Sequence, residues 1–179
     1  MLYTMRYESP VGELLLAEKD GALAGLWIMG QKYFPVSRQK EMEEWPDSRI
    51  LNRTKEWLDR YFRGEKPLIG ELTLAPEGSE FQRAVWKLLC EIPYGGVTTY
   101  GELSRRIAAD RGLARMSAQA VGGAVGHNPI SIIIPCHRVV GTNGSLTGYA
   151  GGLEKKQKLL CLEGVDMKGL FVPGGKCKD

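Results

Sequence analysis

The segment from residue 130 to residue 140, Ile-Ser-Ile-Ile-Ile-Pro-Cys-His-Arg-Val-Val, constrains the fold of this chain more than any other. So many β-branched residues in succession read as a strand buried on both faces, which demands packed layers around it. Pro135 cannot donate to a sheet ladder and holds Ile134 extended, so pairing is expected to stop there. Cys136 is then delivered at a strand end, next to an imidazole and a guanidinium. The material for a core is present, since 43% of the 179 residues are hydrophobic and 25% charged, an ordinary globular mix in a length suited to one or two domains.

No apolar run approaches the roughly 18 residues of a membrane span, and the start Met1 to Pro10 lacks a basic stretch followed by an apolar one. A soluble, cytoplasmic protein with no membrane partner is expected. The four cysteines, Cys90, Cys136, Cys161 and Cys177, are widely spaced with no C-x-x-C pair, which fits a reducing compartment.

Ahead of that segment, residues 2 to 7, 13 to 17 and 23 to 28 are short apolar runs separated by Ser9-Pro10-Val11-Gly12 and Lys19-Asp20-Gly21. They predict an antiparallel meander. From Asp47 to Arg63, Ile50, Leu51, Trp57, Leu58, Tyr61 and Phe62 recur at helical spacing before Gly64 and Pro67, so an amphipathic helix packs on that sheet. Residues 1 to 78 carry no cluster of catalytic side-chain types and read as scaffold. A linker at Leu74 to Gly78 sets the expected division: an N-terminal domain at 1 to 78, a mostly helical domain at 79 to 170 with a short strand, and a frayed tail at 171 to 179. The class is α+β.

Ser79-Glu80-Phe81-Gln82 is a capping box, opening a helix that ends before Pro93, with Cys90 as core filler near its end. Thr99-Tyr100-Gly101-Glu102 is a second box, predicting a helix to about Ala109, and Ser117 can cap another to Gly126. Two short helices on a tight connection suggest a helix-turn-helix, whose second helix enters a DNA groove. Gly122 and Gly123 each cost that helix about 1 kcal/mol relative to alanine, and close approach to another surface is one reason to keep them. Arg105, Arg106, Arg111 and Arg115 surround the unit as candidate phosphate contacts. Charge agrees: residues 1 to 78 carry 11 Lys+Arg against 13 Asp+Glu, whereas residues 79 to 179 carry 13 against 8. The basic half suits a polyanion.

The chemistry concentrates at Cys136. A thiol attacks as thiolate, which neighbouring positive charge, hydrogen-bond donors or a base make accessible. Adjacent side chains on extended backbone point apart, so His137 is expected to reach Cys136 through a water. Asn128, before Pro129, can fix a turn beside the cysteine. Downstream, the glycine-rich stretch Gly141 to Gly152 could close over a flat ligand. A helix from Leu153 to Glu163 is predicted to end at Gly164, with Lys155, Lys156 and Lys158 exposed.

Ile134-Pro135-Cys136-His137-Arg138-Val139, preceded by Ala120-Val121-Gly122-Gly123-Ala124 and Asn128-Pro129 and followed by Gly148-Tyr149-Ala150-Gly151-Gly152-Leu153 and Glu163-Gly164, resembles the O6-alkylguanine-DNA alkyltransferases. The likeness is strong from about Ser79 to Val165. It extends weakly to the first half, whose pattern suits the family's ribonuclease-H-like N-terminal domain. It implies single-turnover repair of double-stranded DNA, in which an alkyl group moves from O6 of guanine, less readily O4 of thymine, onto the protein's own cysteine. Carried over residue by residue, Cys136 is the acceptor, His137 its base through a water, and Glu163 the group that orients His137. Tyr100 assists proton delivery to the departing guanine and Asn128 supports the hydrogen bonding around the cysteine. Tyr149, Ala150, Gly151, Val125 and Val139 line the base pocket, and Thr99, Arg115, Ala118, Gln119, Ala120, Gly122 and Gly123 face DNA. The target base must leave the stack to be reached. Family members commonly place an arginine where this chain has Gln119, a departure that bears on flipping and leaves the chemistry intact. Arg138 reads as a structural ion-pair partner and His127 as a surface or capping residue. No cofactor is expected, and no structural metal, because the first half has no cysteine. A monomer is expected.

Two other readings remain open from the residues. One is a non-catalytic helix-turn-helix module or lesion sensor, although sensors of this kind carry tryptophan where Cys136 stands. The other is a cysteine hydrolase built from Cys136, His137 and Glu163, which would turn over many times.

Overall fold

Two units divide the chain in the computed structural model, which describes residues 1–173: Met1–Glu77 with Pro129–Ile133, and Gly78–Asn128 with the chain from Ile134 onward. In the first, strands β1 (Leu2–Ser9), β2 (Gly12–Lys19) and β3 (Ala22–Ile28) form the expected meander. The turn between β2 and β3 has Asp20 at φ 52° and Gly21 at φ 79°, the paired positive φ of a two-residue hairpin whose twist matches its strands. A short strand that sequence reading missed, β4 (Met42–Glu44), runs parallel to β1 and completes the order β3-β2-β1-β4. Helix α1 (Arg49–Phe62) lies on this sheet through Leu51, Thr54, Leu58 and Tyr61, a three-and-four spacing that keeps one face buried. Its cap Ser48 accepts from Leu51 N at 3.1 Å and donates to the buried Glu18 carboxylate.

The apolar run at 130 to 134 is buried as expected, but it is not a strand. Only Ile130 bridges the sheet, with Leu26 N donating to Pro129 O and Ser131 N to Leu26 O, both at 2.9 Å. The chain then makes two three-residue turns. Ile133 N bonds Ser131 O at 2.8 Å around Ile132, whose φ is 71°, and Cys136 N bonds Ile134 O at 2.8 Å around Pro135 at φ −82°, ψ 64°. Both satisfy buried backbone without a ladder. The first is strained, because a β-branched residue at positive φ costs about 1–3 kcal/mol.

The second unit holds α2 (Glu80–Leu89), β5 (Thr98–Thr99), α3 (Tyr100–Asp110), α4 (Ala118–Gly126), β6 (Val139–Val140) and α5 (Leu153–Leu162). Both halves of the Ser79/Gln82 capping box form. At Thr99 only one half does: Thr99 Oγ1 accepts from Glu102 N at 3.1 Å, while the Glu102 carboxylate takes Thr98 Oγ1 at 3.0 Å instead. Trp86 Nε1 donates to Ala124 O at 2.8 Å and ties α2 to α4. The connection from α3 to α4 spans residues 111 to 117, longer than the tight turn expected. The parallel β5–β6 pair and the cluster Val140, Leu146, Leu160 and Val165 carry α5. Phe171, expected to begin the tail, is bonded on both sides, with Leu146 N to Phe171 O at 2.8 Å and Phe171 N to Gly144 O at 3.1 Å. The rest of that expected tail, from residue 174, lies outside the described residues. Among the described residues no helix is long and apolar enough to cross a membrane.

Candidate active site

Cys136 opens a single 3-10 turn, Cys136–Arg138, between Pro135 and β6, a correction to the expected strand end. This turn separates its neighbours in direction. Cys136 is 6% exposed, whereas His137 is fully buried. His137 Nε2 lies 2.7 Å from Glu163 Oε1, at the C-terminal cap of α5. Arg138 turns to the same carboxylate, with Nε on Oε2 at 2.8 Å and Nη2 on Oε1 at 2.9 Å, and its Nη1 donates to Ile92 O at 2.6 Å. Arg138 is thus the ion-pair partner anticipated.

The electrostatics assign the protons. Burial favours a neutral Glu163, yet the hydrogen bonds from His137 and Arg138 overcome it and hold the carboxyl down at about 2. An ionised carboxylate only accepts, so the hydrogen of His137 sits on Nε2 and Nδ1 carries the lone pair. Nδ1 has no protein hydrogen-bond partner among the described residues. Burial also holds His137 below its ordinary value, which keeps it neutral near pH 7. The Cys136 thiol is pushed up by burial and pulled back by a hydrogen bond from Asn128, by the Lys156 charge and by backbone N–H groups. Asn128 is itself fixed by Nδ2 donating to Ile134 O at 2.8 Å.

Two tyrosines stand near the sulfur. The Tyr100 hydroxyl donates to Thr147 O at 3.2 Å, and burial followed by the Cys136 charge raises it to about 12. Gly148 leaves room for it: at φ 78°, an added Cβ would sit 2.8 Å from the Tyr100 hydroxyl. Tyr149 is buried with its hydroxyl unbonded to protein among the described residues, its ring edge-on to His137 at 6.5 Å between centroids. Ala150 and Gly151 follow, half-buried, while Val125 and Val139 are core residues, 1% and 0% exposed.

On α4, Ala118, Gln119, Ala120 and Gly123 are exposed and Gly122 half-buried. A Cβ at Gly123 would meet nothing within 4 Å and one at Gly122 only the Tyr100 ring at 3.9 Å, so internal packing does not require either glycine. Arg105 and Arg115 are exposed beside the helix-turn-helix connection. The other two arginines are engaged: Arg106 with Glu91 at 2.6 Å, Arg111 with Glu80 at 2.8 Å and over the Phe81 ring. His127 caps α4 through Nδ1 on Gly123 O at 2.7 Å. Among the described residues no group of three or more His, Cys, Asp or Glu could hold a metal ion.

One residue was misplaced by sequence reading. Lys156, expected on the exposed face of α5 with Lys155 and Lys158, is fully buried. It shares the helix stripe of Leu159, Leu160 and Glu163, spaced three, four and seven residues on, and that stripe was the signal available.

Residues 80–165 match the model of the 6-O-methylguanine DNA methyltransferase DNA-binding domain, and residues 1–81 that of the same family's ribonuclease-like domain. A methylated-DNA–protein-cysteine methyltransferase of Haemophilus influenzae is 43% identical over 162 residues, covering 90% of this chain and 86% of its own length. One of Mycolicibacterium paratuberculosis is 46% identical over 156 residues, covering 87% and 88%. The crystal structure of Mycobacterium tuberculosis OGT in complex with DNA superposes with a TM-score of 0.77 at 40% identity, over 90% of this chain and 93% of that one.

Proposed function

The chain belongs to the 6-O-methylguanine DNA methyltransferase family and acts in DNA repair as a methylated-DNA–protein-cysteine methyltransferase, and we propose that its acceptor is Cys136. The observation that carries this reading is the bond from His137 Nε2 to Glu163 at 2.7 Å, which leaves the Nδ1 lone pair available as the base. His137 Nδ1 takes the thiol proton through one water. The thiolate attacks the alkyl carbon on O6 of guanine, less readily on O4 of thymine; the S–C bond forms as the C–O bond breaks, and the electron pair leaves with the base. Tyr100 delivers a proton to the departing guanine. Its raised value suits a group that keeps its proton until negative charge develops nearby. Asn128 steadies the sulfur, and Tyr149, Ala150 and Gly151 line the base pocket. The thioether cannot be reversed by any group in the site, so each molecule acts once.

Residues 79 to 170 form the DNA-binding alkyltransferase half in this reading, and residues 1 to 78 its scaffold. Double-stranded DNA meets α4 at Ala118, Gln119, Ala120, Gly122 and Gly123, with Thr99 and Arg115 alongside. The glycines that internal packing leaves unexplained support this, since a bare helix surface lets a groove approach. The protein acts as a monomer in a reducing, cytoplasmic setting, for which the free thiols of Cys90, Cys136 and Cys161 are suited. Incubation with a duplex bearing one O6-methylguanine, followed by mass spectrometry, tests the assignment. One methyl group on Cys136 per molecule is expected; methyl on another residue, or continued turnover, overturns it.

A further inference from the structure

Lys156 is the one fully buried ammonium among the described residues, and the repair chemistry above does not use it. Its Nζ donates to Val139 O at 2.5 Å and to Thr147 O at 2.8 Å. Two neutral carbonyls satisfy geometry and leave the charge itself unmatched, and a buried charge without a counter-charge is costly. The one carboxylate at the site is already taken. Glu163 is held by both Arg138 contacts and by His137, which is neutral, so Arg138 and Glu163 cancel. Among the described residues the charge of Lys156 then has one group left to balance it, the sulfur of Cys136 as thiolate. Each acts on the other in that sense: the Lys156 charge pulls back the thiol that burial pushes up, and the thiolate opposes the burial that lowers Lys156, which with both effects stands at about 8.

The same contacts tie charge to pocket shape. Thr147 O accepts from both Lys156 Nζ and the Tyr100 hydroxyl, and Thr147 leads through Gly148 into Tyr149, while Val139 follows the Cys136 turn directly. We propose that Lys156 is a positioning residue for the transfer: its ammonium is the buried counter-charge of the Cys136 thiolate and pins the Thr147 and Val139 carbonyls that frame the base pocket. This rests on the reading of Cys136 as acceptor. The titratable and charged groups at this site are Cys136, His137 and Arg138 on the 3-10 turn, Tyr100 on α3, Tyr149 on the glycine-rich loop and Glu163 at the end of α5. His137 is neutral near pH 7 and the two tyrosines titrate far above it, which leaves Cys136 and Lys156 as the two groups whose charges answer one another.

Iodoacetamide reads thiol ionisation without DNA. The rate at Cys136, followed by peptide mass spectrometry from pH 5 to 10, is compared for the unmutated protein, Lys156→Met and Lys156→Arg. In Lys156→Met the midpoint is expected to rise by about one pH unit or more, slowing the reaction about tenfold at pH 7, with Lys156→Arg recovering most of the loss. An unchanged profile in folded Lys156→Met overturns the proposal. A second measurement needs no substitution: the Lys156 side-chain carbon resonance, in protein labelled at lysine Cε, is titrated before and after iodoacetamide caps Cys136. Capping removes the thiolate, so the Lys156 midpoint must fall by the reciprocal amount, and a midpoint that stays put overturns the proposal even where Lys156→Met does not fold. A shift on capping without methyl transfer from O6-methylguanine duplex would sink the acceptor reading, and the positioning role with it, and leave only the charge pairing of Lys156 with Cys136.

Discussion

Arg138 meets Glu163 side on, with Nε and Nη2 on separate carboxylate oxygens at 2.8 and 2.9 Å, at the C-terminal cap of α5 where the helix dipole opposes negative charge. The pair therefore does more than fill space. It fixes the carboxylate in its ionised form at the one place where that form orients His137, and bidentate geometry leaves little freedom to either partner.

Glu163→Gln breaks this arrangement while keeping its shape. Arg138 then loses its buried counter-charge, and breaking such a pair costs about 3–5 kcal/mol, with both side chains at 7% exposure or less. His137 also loses the acceptor that sets its tautomer. Urea denaturation is expected to show a loss of that size, and methyl transfer to slow at least about tenfold beyond the change in folded fraction. Transfer at the normal rate in the folded fraction would remove Glu163 from the chemistry.

Acid should unfold the protein in two stages. His137 is held below its ordinary value of 6.5, so the folded state binds fewer protons there and stability falls as pH drops below about 6.5. Glu163 is lowered from 4.5 to about 2, so its contribution is complete above about 4.5 and is lost as pH descends toward 2. Urea midpoints measured from pH 8 to 3 should be level near the top, decline below about 6.5 and steepen below about 4.5. Glu163→Gln should abolish the steeper part.

How much of this was legible in the sequence depends on the range of the interactions. The Asp20-Gly21 hairpin, the Ser79/Gln82 box and the face of α1 are set by neighbours a few residues apart, and they appear where local chemistry places them. The 130 to 134 run did not, because periodicity cannot tell a buried strand from buried turns, and the deciding bond is from Leu26. Pairing of β4 with β1, across some 40 residues, was beyond local reading for the same reason. The meeting of His137 with Glu163 was legible through residue type and motif. Lys156 was misplaced because lysine is seldom buried, and its two acceptors, at 139 and 147, lie on other elements.

Gly148 is held to glycine twice over, by φ 78° and by the Tyr100 hydroxyl 2.8 Å from where a Cβ would lie. Gly148→Ala should displace Tyr100 and leave Cys136 untouched. Methyl transfer from duplex is then expected to slow, while the iodoacetamide rate at Cys136 stays within about twofold, since in the proposed reading Tyr100 acts on the leaving base and not on thiol ionisation. Equal slowing of both reactions would place the defect at the sulfur instead.

Gly123 makes the opposite case, because an alanine there meets nothing within 4 Å. Gly123→Ala should raise stability by about 0.5–1 kcal/mol through helix propensity alone. It should also weaken binding to duplex if α4 meets the groove as proposed, since the methyl group would then stand against the groove wall. A gain in stability with unchanged affinity would remove α4 from the DNA interface.

Gln119 gives the sharpest separation of binding from chemistry. It is exposed on the first turn of α4, where it can hydrogen-bond an orphaned base without adding charge. With α4 in the groove as proposed, Gln119→Arg adds a cation where the potential is negative, so affinity for lesion-bearing duplex should rise, and the slope of log affinity against log salt should steepen by about one. The iodoacetamide rate at Cys136 should not change, because Gln119 is exposed on α4 whereas Cys136 is buried. Affinity that is unchanged or weaker across the salt series would show that Gln119 does not enter the groove, and the orientation of α4 on DNA would have to be redrawn with Arg115 or Arg105 in its place.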